Sequence, residues 1–341
     1  MWFKNLRVYC LTRPLTLDGQ SITPELLAQA LAGDAFVPCG SQDLARFGWV
    51  PPVQNGNGGS GADEEAPLVH ACQGYMMVCA KKQEKVLPAA VVNEALADKV
   101  AAITEAEGRP VGRKERQSLK DEVMMDLLPR AFTRSSRHFA YIAPPKPSAS
   151  PASPEARGYI VVHAASANRA EELLSALRDV LGSVPVVPLT SQQLPYQMMT
   201  RWVANEAAPG AFALGSECEL VSTQDEGSVI RCKHQDLTSA EIQQLLAADM
   251  IVTKLHLQWM EGVEFVLDDQ LAIKRLRFAD EVQDKADSHE AETAVEQFDR
   301  EFAVMSLEVA ALLTALAEAL GGVNAEAPSV DELVVKATAE A

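Results

Sequence analysis

The sequence predicts an α+β fold with mixed and antiparallel sheets, two β-α-β-like units and long helices. Three observations carry that expectation. A strand, helix, strand order over residues 4–38 returns over 158–190. Three segments, 251–259, 263–267 and 271–278, follow one another with short turns between them, the pattern of an antiparallel meander. Apolar residues at helical spacing mark 88–107, the stretch from Arg113 to the stop at Pro129, and 293–320.

Taken in order, residues 4–13 alternate as a strand, with Leu6, Val8 and Cys10 on one face. Ser21 and Thr23 offer N-caps, Pro24 suits the first helical turn, and a short helix over 24–31 stops at Gly33. A strand at 36–38 then completes the first β-α-β unit, and 40–49 leads to a stop at Pro51 and Pro52. The glycine-rich connection 54–66 lacks the Lys-Ser/Thr ending of a phosphate loop and reads as a flexible hairpin tip. One or two strands over 68–85 end in Lys81, Lys82 and Lys85, which are either an exposed strand end or part of a nucleic-acid track. A helix over 88–107 places Val91, Ala95, Leu96 and Val100 at core spacing before Gly108 and Pro110 break it.

The most basic stretch of the chain comes next, over 113–138. On a helix, Arg113, Arg116, Lys120, Val123 and Leu127 fall along one side, and Glu115, Glu122 and Asp126 fall on the other. Cations in the first turns oppose the helix dipole at ~0.3–1 kcal/mol each, a cost that calls for a reason. After Pro129 a basic loop spaces Arg130, Arg134 and Arg137 around Phe132, which suits phosphate. A solvated amphipathic helix with a basic loop accounts for the same residues.

Beyond it lie a strand at 138–142 and a Pro/Ser/Ala linker, 144–156, without core-forming residues. The second β-α-β plan follows over 158–190, its likeness to 4–38 suggesting an internal duplication. A helix over 196–205, a strand over 229–235 carrying Arg231 and Lys233, and a short helix from Ser239 precede the meander. On the last meander strand, Lys274 and Leu276 share one face and Arg275 and Arg277 the other. The helix over 293–320 shows a stripe of Phe298, Phe302, Met305, Val309, Leu312, Leu313 and Leu316, either core or subunit interface. Residues 325–341 are small, acidic and expected to fray. The chain thus divides into 1–87, a helical basic region and hinge over 88–140, a second α+β part over 141–278, the helix of 279–322 and a tail over 323–341.

A net charge of −17 looks wrong for a nucleic-acid binder until its distribution is read. Residues 279–341 hold 15 acidic and 3 basic residues, whereas 109–137 hold 8 basic and 4 acidic. Nothing marks a secretory leader or a membrane span, and the six scattered cysteines form no CxxC pair, so a cytoplasmic protein with reduced thiols is expected. The six histidines never form HxH or HExxH, and no GxSxG elbow is present. No enzyme activity, cofactor or metal is therefore expected. A nuclease would need converging carboxylates; Asp121, Glu122 and Asp126 lie near basic residues, but Glu122 and Asp126 sit on the wrong helix face. An acidic protein-interaction module, binding a partner protein directly without touching nucleic acid, is the competing class.

Several long blocks carry a resemblance. MWFKNLRVYCLTRPL, FVPCGSQDLARFGWVPP, KVLPAAVVNEAL, SLKDEVMMDLLPRAF, GSVPVVPLT, VIRCKHQDLTSAEI and IVTKLHLQW resemble, in that order, the recombination-associated RdgC family from Met1 to about Gly322. The resemblance implies a bacterial, nucleoid-associated protein that binds double-stranded DNA with little sequence preference and restrains RecA-driven strand exchange. It also implies a ring-shaped homodimer with a positively lined hole. Carried onto these residues, it makes Arg109, Arg113, Lys114, Arg116, Lys120, Arg130, Arg134 and Lys233 candidates for the inner surface, with Lys81, Lys82, Lys85, His234 and Gln235 beside them. The LPRAF block implies a subunit contact at Phe132, against the plain reading of a core aromatic. Two departures stand out. Where the family commonly has two lysines before Gln-Asp-Leu-Thr, this chain reads Lys233, His234, Gln235, implying weaker or more pH-sensitive DNA affinity. The family core also lacks the 144–156 insert and the long 54–66 tip.

Overall fold

The computed structural model describes residues 1–53, 66–224, 227–287 and 293–324. The hairpin tip at 54–65 and the tail from 325 lie outside the described residues. Along the chain run β1 (Arg7–Leu11), β2 (Thr16–Leu17), β3 (Gln20–Ser21), α1 (Pro24–Ala32), β4 (Ala45–Val50), β5 (Val69–Cys72), β6 (Tyr75–Val86), α2 (Ala89–Glu107) and α3 (Arg113–Leu127). After a 3-10 turn at Leu128–Arg130 come β7 (Phe132–Ala143), β8 (Tyr159–Val162), α4 (Ala167–Leu181), β9 (Val186–Pro188) and α5 (Pro195–Ala204). The last third holds β10 (Phe212–Ser222), β11 (Val229–Cys232), α6 (Ala240–Ala247), β12 (Met250–Trp259), β13 (Val263–Asp268), β14 (Ile273–Phe278), α7 (Asp280–Asp287) and α8 (Ala294–Ala319). Antiparallel sheets with helices packed on them make the α+β class.

The chain forms two compact units: residues 1–30, 51–78 and 139–341, and residues 31–50 and 79–138. In the first, β1 pairs antiparallel with β8 on one side and β9 on the other. Strands β8 and β9 therefore run parallel with β1 between them, and α4 connects them. Both faces of β1 are covered, so Val8, Tyr9, Cys10 and Leu11 are all buried and the simple alternation read from the sequence disappears. Helix α4 starts at Ser166, whose hydroxyl accepts from the Arg169 amide at 3.4 Å, and ends at Gly182 with φ of 75°. The second sheet of this unit runs β11-β10-β12-β13-β14, antiparallel throughout.

Helix α8 is long and apolar enough to cross a membrane by composition alone. Half of that apolar stretch is packed within the protein, however, with Phe302, Met305, Val309, Leu312, Leu313 and Leu316 buried in the core. At roughly 1.5–3 kcal/mol for each large apolar side chain removed from water, this stripe is a principal anchor of the unit.

In the second unit, β4 pairs with the later half of β6, and α2 packs on α3 through buried Val92, Leu96 and Val123. Leu96 is buried as the spacing suggested, whereas Val91 is 45% exposed and Val92 takes its place in the core.

Other departures have identifiable causes. No strand forms at 36–38; the backbone there makes one parallel bridge, Ala35 to Trp49, so the first β-α-β plan lacks its closing strand. The Phe36 amide donates to the Trp49 carbonyl at 2.9 Å, and a Cβ on Gly48 would lie 2.6 Å from the Phe36 Cα. Glycine is what lets these backbones approach. The basic loop after Pro129 is strand, since β7 begins at Phe132. The 144–156 insert does pack: Ser153 and Pro154 are buried, and the Ser153 and Thr314 hydroxyls share a hydrogen bond of 2.9 Å with α8. Strand β10 was not anticipated, the helix expected over 279–322 is two helices, α7 and α8, and β11 ends at Cys232 rather than 235. On β14, Arg275 has φ of 53° where the register with β13 shifts. That bulge undoes the expected faces: Leu276 is buried while Lys274 is partly exposed on Asp268 at 2.7 Å.

Candidate nucleic-acid interface

The second unit holds 13 Lys and Arg against 11 Asp and Glu, while the whole chain holds 30 against 47. Its cations concentrate on α3 and on the facing parts of β6 and β7. Helix α3 begins after Gly112, and Glu115 accepts from the Gly112 amide at 3.4 Å, closing the first turn. Arg113, Lys114 and Arg116 project from these first turns, are exposed, and make no ion pair among the described residues. One turn on, Lys120 is half-buried beside the apolar seam formed by Val123.

Arg109 has a different environment. Its guanidinium forks onto Glu115, with Nη1 and Nη2 each 2.8 Å from a carboxylate oxygen, and Nη2 also lies 2.7 Å from Glu107. The Arg109 hydrogen bonds hold the Glu115 carboxyl below its usual range. The charge of Arg109 is thus spent largely on anchoring the turn that presents Arg113 to Arg116.

On the far side of α3, Lys99 of α2 lies 2.8 Å from Asp126 and 3.2 Å from Glu122. Asp121 accepts from Gln117 at 3.1 Å. The acids read as possible nuclease ligands are therefore engaged separately. Among the described residues, no group of three or more His, Cys, Asp or Glu is arranged to hold a metal ion.

The three lysines of β6 are half-buried rather than projecting. Lys81 stands 4.6 Å over the Phe36 ring, Lys82 is 3.1 Å from Glu84, and Lys85 lies near the Asp43 carboxylate. Glu84 takes Arg134 as a second partner at 3.1 Å, and these two cations hold its carboxyl below its usual range. Arg134 is nonetheless mostly exposed, as is Arg130. Between them Phe132 is 87% exposed, which rules out a core aromatic. Among the described residues, an apolar ring so presented has no packing partner to account for it.

In the first unit, Lys233 and His234 are exposed on the turn after β11, with His234 at φ of 53°. Gln235 is held by its amide to the Ser216 carbonyl at 3.0 Å and by its side chain to Ser239 at 3.3 Å. A cleft of about 310 Å³ opens beside this turn, lined among others by Glu219, Arg231, Lys233, Lys254 and Arg275. Burial opposes the charge of Glu219, but Arg231 at 2.7 Å and Lys254 at 2.6 Å outweigh it and keep its carboxyl low. Arg275 forks onto Glu217 at 3.1 and 2.6 Å. Lys254 had not been associated with Lys233 in the sequence. Only the pairing of β10 with both β11 and β12, which puts Arg231 and Lys254 opposite Glu219, brings them together.

Residues 1–323 match the family model described as "RdgC: Putative exonuclease, RdgC". A protein of Tolumonas auensis named Recombination-associated protein RdgC is 45% identical over 326 residues, covering 96% of this chain and all of its relative. Proteins of the same name from Pseudomonas aeruginosa and Aeromonas hydrophila are 46% and 44% identical over 322 residues, covering 94% of this chain and 98% of each relative.

Proposed function

The chain belongs to the RdgC family of recombination-associated proteins, and from that premise we propose that it binds double-stranded DNA through phosphate contacts, without reading sequence. It does so as a ring-shaped homodimer around the duplex, closed at Phe132, and the occupied DNA excludes RecA filaments and so restrains strand exchange. The protein acts in the cytoplasm at the nucleoid and is not itself an enzyme.

One observation supports this reading above the others: three exposed cations, Arg113, Lys114 and Arg116, on the first turns of a helix that gains nothing in stability from them. Cations there work against the helix dipole, and a polyanion lying across them would reverse that cost. Lysine and arginine on phosphate fix position without sequence information, which fits a clamp better than a sequence reader. The exposed Phe132 supplies an apolar contact for the partner subunit.

A gel-shift titration with plasmid-length duplex tests the proposal. Retardation at low salt that any competitor duplex reverses equally is the expected result. Unchanged mobility at low salt would favour an acidic protein-interaction module instead. Magnesium-dependent shortening of the duplex in the same tubes would make the chain a nuclease, the activity the family model's description names.

A further inference from the structure

The edge of the five-stranded sheet holds two thiols in direct cross-strand register, Cys218 on β10 and Cys232 on β11. Directly opposed residues of an antiparallel pair stand about 4.5–5.5 Å apart at Cα, inside the roughly 4.4–6.8 Å that a disulfide spans. Cross-strand partners project from the same face, so the register brings the two thiols side by side. Both are free thiols and both line the cleft beside Lys233. Cys218 is buried and Cys232 half-buried, so a reagent from solvent meets Cys232 first. Burial, reinforced by the neighbouring Cys232, pushes the Cys218 thiol up to about 12, which keeps it protonated until a partner sulfur arrives.

The other cysteines have no such arrangement. Cys10 faces Tyr159 and Val187, Cys72 faces Tyr75, Cys79 faces Val50, and Cys39 lies outside the strands. Spacing along the sequence gives no hint of the 218–232 pair; only the β10–β11 register does.

We propose that Cys218 and Cys232 form a reversible disulfide that clamps the edge strand β11, and the Lys233–His234–Gln235 turn after it, onto β10. The oxidant is a small-molecule disulfide of the glutathione class. The Cys232 thiolate attacks one oxidant sulfur; the new S–S bond forms, the oxidant's own S–S bond breaks, and half of it leaves and takes up a proton. Cys218 then gives up its proton and attacks the Cys232 sulfur, expelling the second half, which is protonated in turn. Two protein thiols lose two electrons, and one oxidant molecule is reduced to two thiols. Strand β11 is only four residues long and is a sheet edge, so a covalent tie at its last residue acts where the ladder holds it least. The disulfide forms whether or not the chain binds DNA.

Purified full-length protein is equilibrated in buffers of oxidised and reduced glutathione, without DNA, then acid-quenched, alkylated and mapped by peptide mass spectrometry. The expected product is a peptide pair cross-linked through Cys218 and Cys232, abolished by excess reduced thiol. Amide exchange over 229–235 slows in the oxidised form. Cys218→Ser traps Cys232 as a lasting glutathione adduct, and Cys232→Ser gives no cross-link. Two results on the unmodified chain would overturn the proposal: both thiols still alkylated in fully oxidised buffer, or Cys232 carrying glutathione with no cross-link to Cys218. Failure of DNA retardation leaves this readout untouched, and an absent cross-link leaves the gel shift untouched.

Discussion

Single side chains in the first unit set how it responds to pH and to added volume. His163 stacks on Phe3 with ring centroids 4.7 Å apart, and its Nε2 accepts from the Lys4 amide at 3.2 Å, so the neutral ring is the form that fits. Burial, then Arg169 and Lys4, push its pKa below the ordinary value of 6.5. Burial also lowers His256, whose Nδ1 accepts from the Ser216 amide at 3.2 Å. Below about pH 6.5 the unfolded chain then binds more protons than the folded one, so stability is full above that pH and falls as acid carries it down through the folded values. Thermal unfolding followed from pH 7.5 to 5.5 should show this fall, and His163→Gln, which retains an acceptor, should flatten it in part; a parallel slope in the variant would remove His163 as a cause. Gly215 offers a volume test, since a Cβ there would lie 2.2 Å from the His256 Nδ1. Gly215→Ala should cost about 1–3 kcal/mol, the usual penalty of overpacking, read from the denaturant midpoint.

At the level of helices and strands, α3 separates charges that hold the structure from charges left over. Arg109 and Lys99 are tied to carboxylates, whereas Arg113, Lys114 and Arg116 meet none among the described residues. Replacing the last three by alanine should not lower the unfolding midpoint and should raise it slightly, since each removed cation opposed the helix dipole. The slope of log affinity against log salt for duplex DNA should fall by roughly one for each cation removed. Equal slopes in parent and triple variant would mean that α3 does not meet phosphate. Arg109→Ala should act differently, freeing Glu115 beside the helix start and lowering both helix order and DNA affinity, visible as faster amide exchange over 113–120. The helix and its basic face were legible in the sequence because its periodicity is local: Val123 is buried where the spacing placed it. The meander and α8 were legible for the same reason. Strand β10 was not, because Gly215, Ser216, Glu217 and Glu219 read as a polar loop and become strand only through pairing with β11 and β12. The exposed first half of β7 was hidden likewise, its Arg and Ser residues taking strand form beside β6, where Gln83 reaches Ser135 at 3.3 Å.

For the whole molecule, the proposed ring raises the question of what would close it from a chain whose net charge is −17. Like-charged copies repel, so association needs an apolar contact strong enough to outweigh that repulsion, and Phe132 is the most exposed of the large apolar residues described. If the partner subunit buries the ring, truncation to alanine should behave as an interface hot spot and cost on the order of 2 kcal/mol or more, about a 30-fold weaker dimer. Light scattering across a dilution series measures this directly, with the parent staying dimeric at concentrations where Phe132→Ala has become monomeric. Because Phe132 is exposed within its own chain, the variant's unfolding midpoint measured as monomer should stay near that of the parent monomer, which separates lost assembly from lost folding. Raising salt should tighten the parent dimer by screening the repulsion while it weakens DNA binding by displacing the protein from phosphate. Those opposite signs are the signature of an apolar ring closure combined with a cationic grip. A dimer that weakens with salt, or one indifferent to Phe132, would place the subunit contact elsewhere and leave the exposed ring to another role.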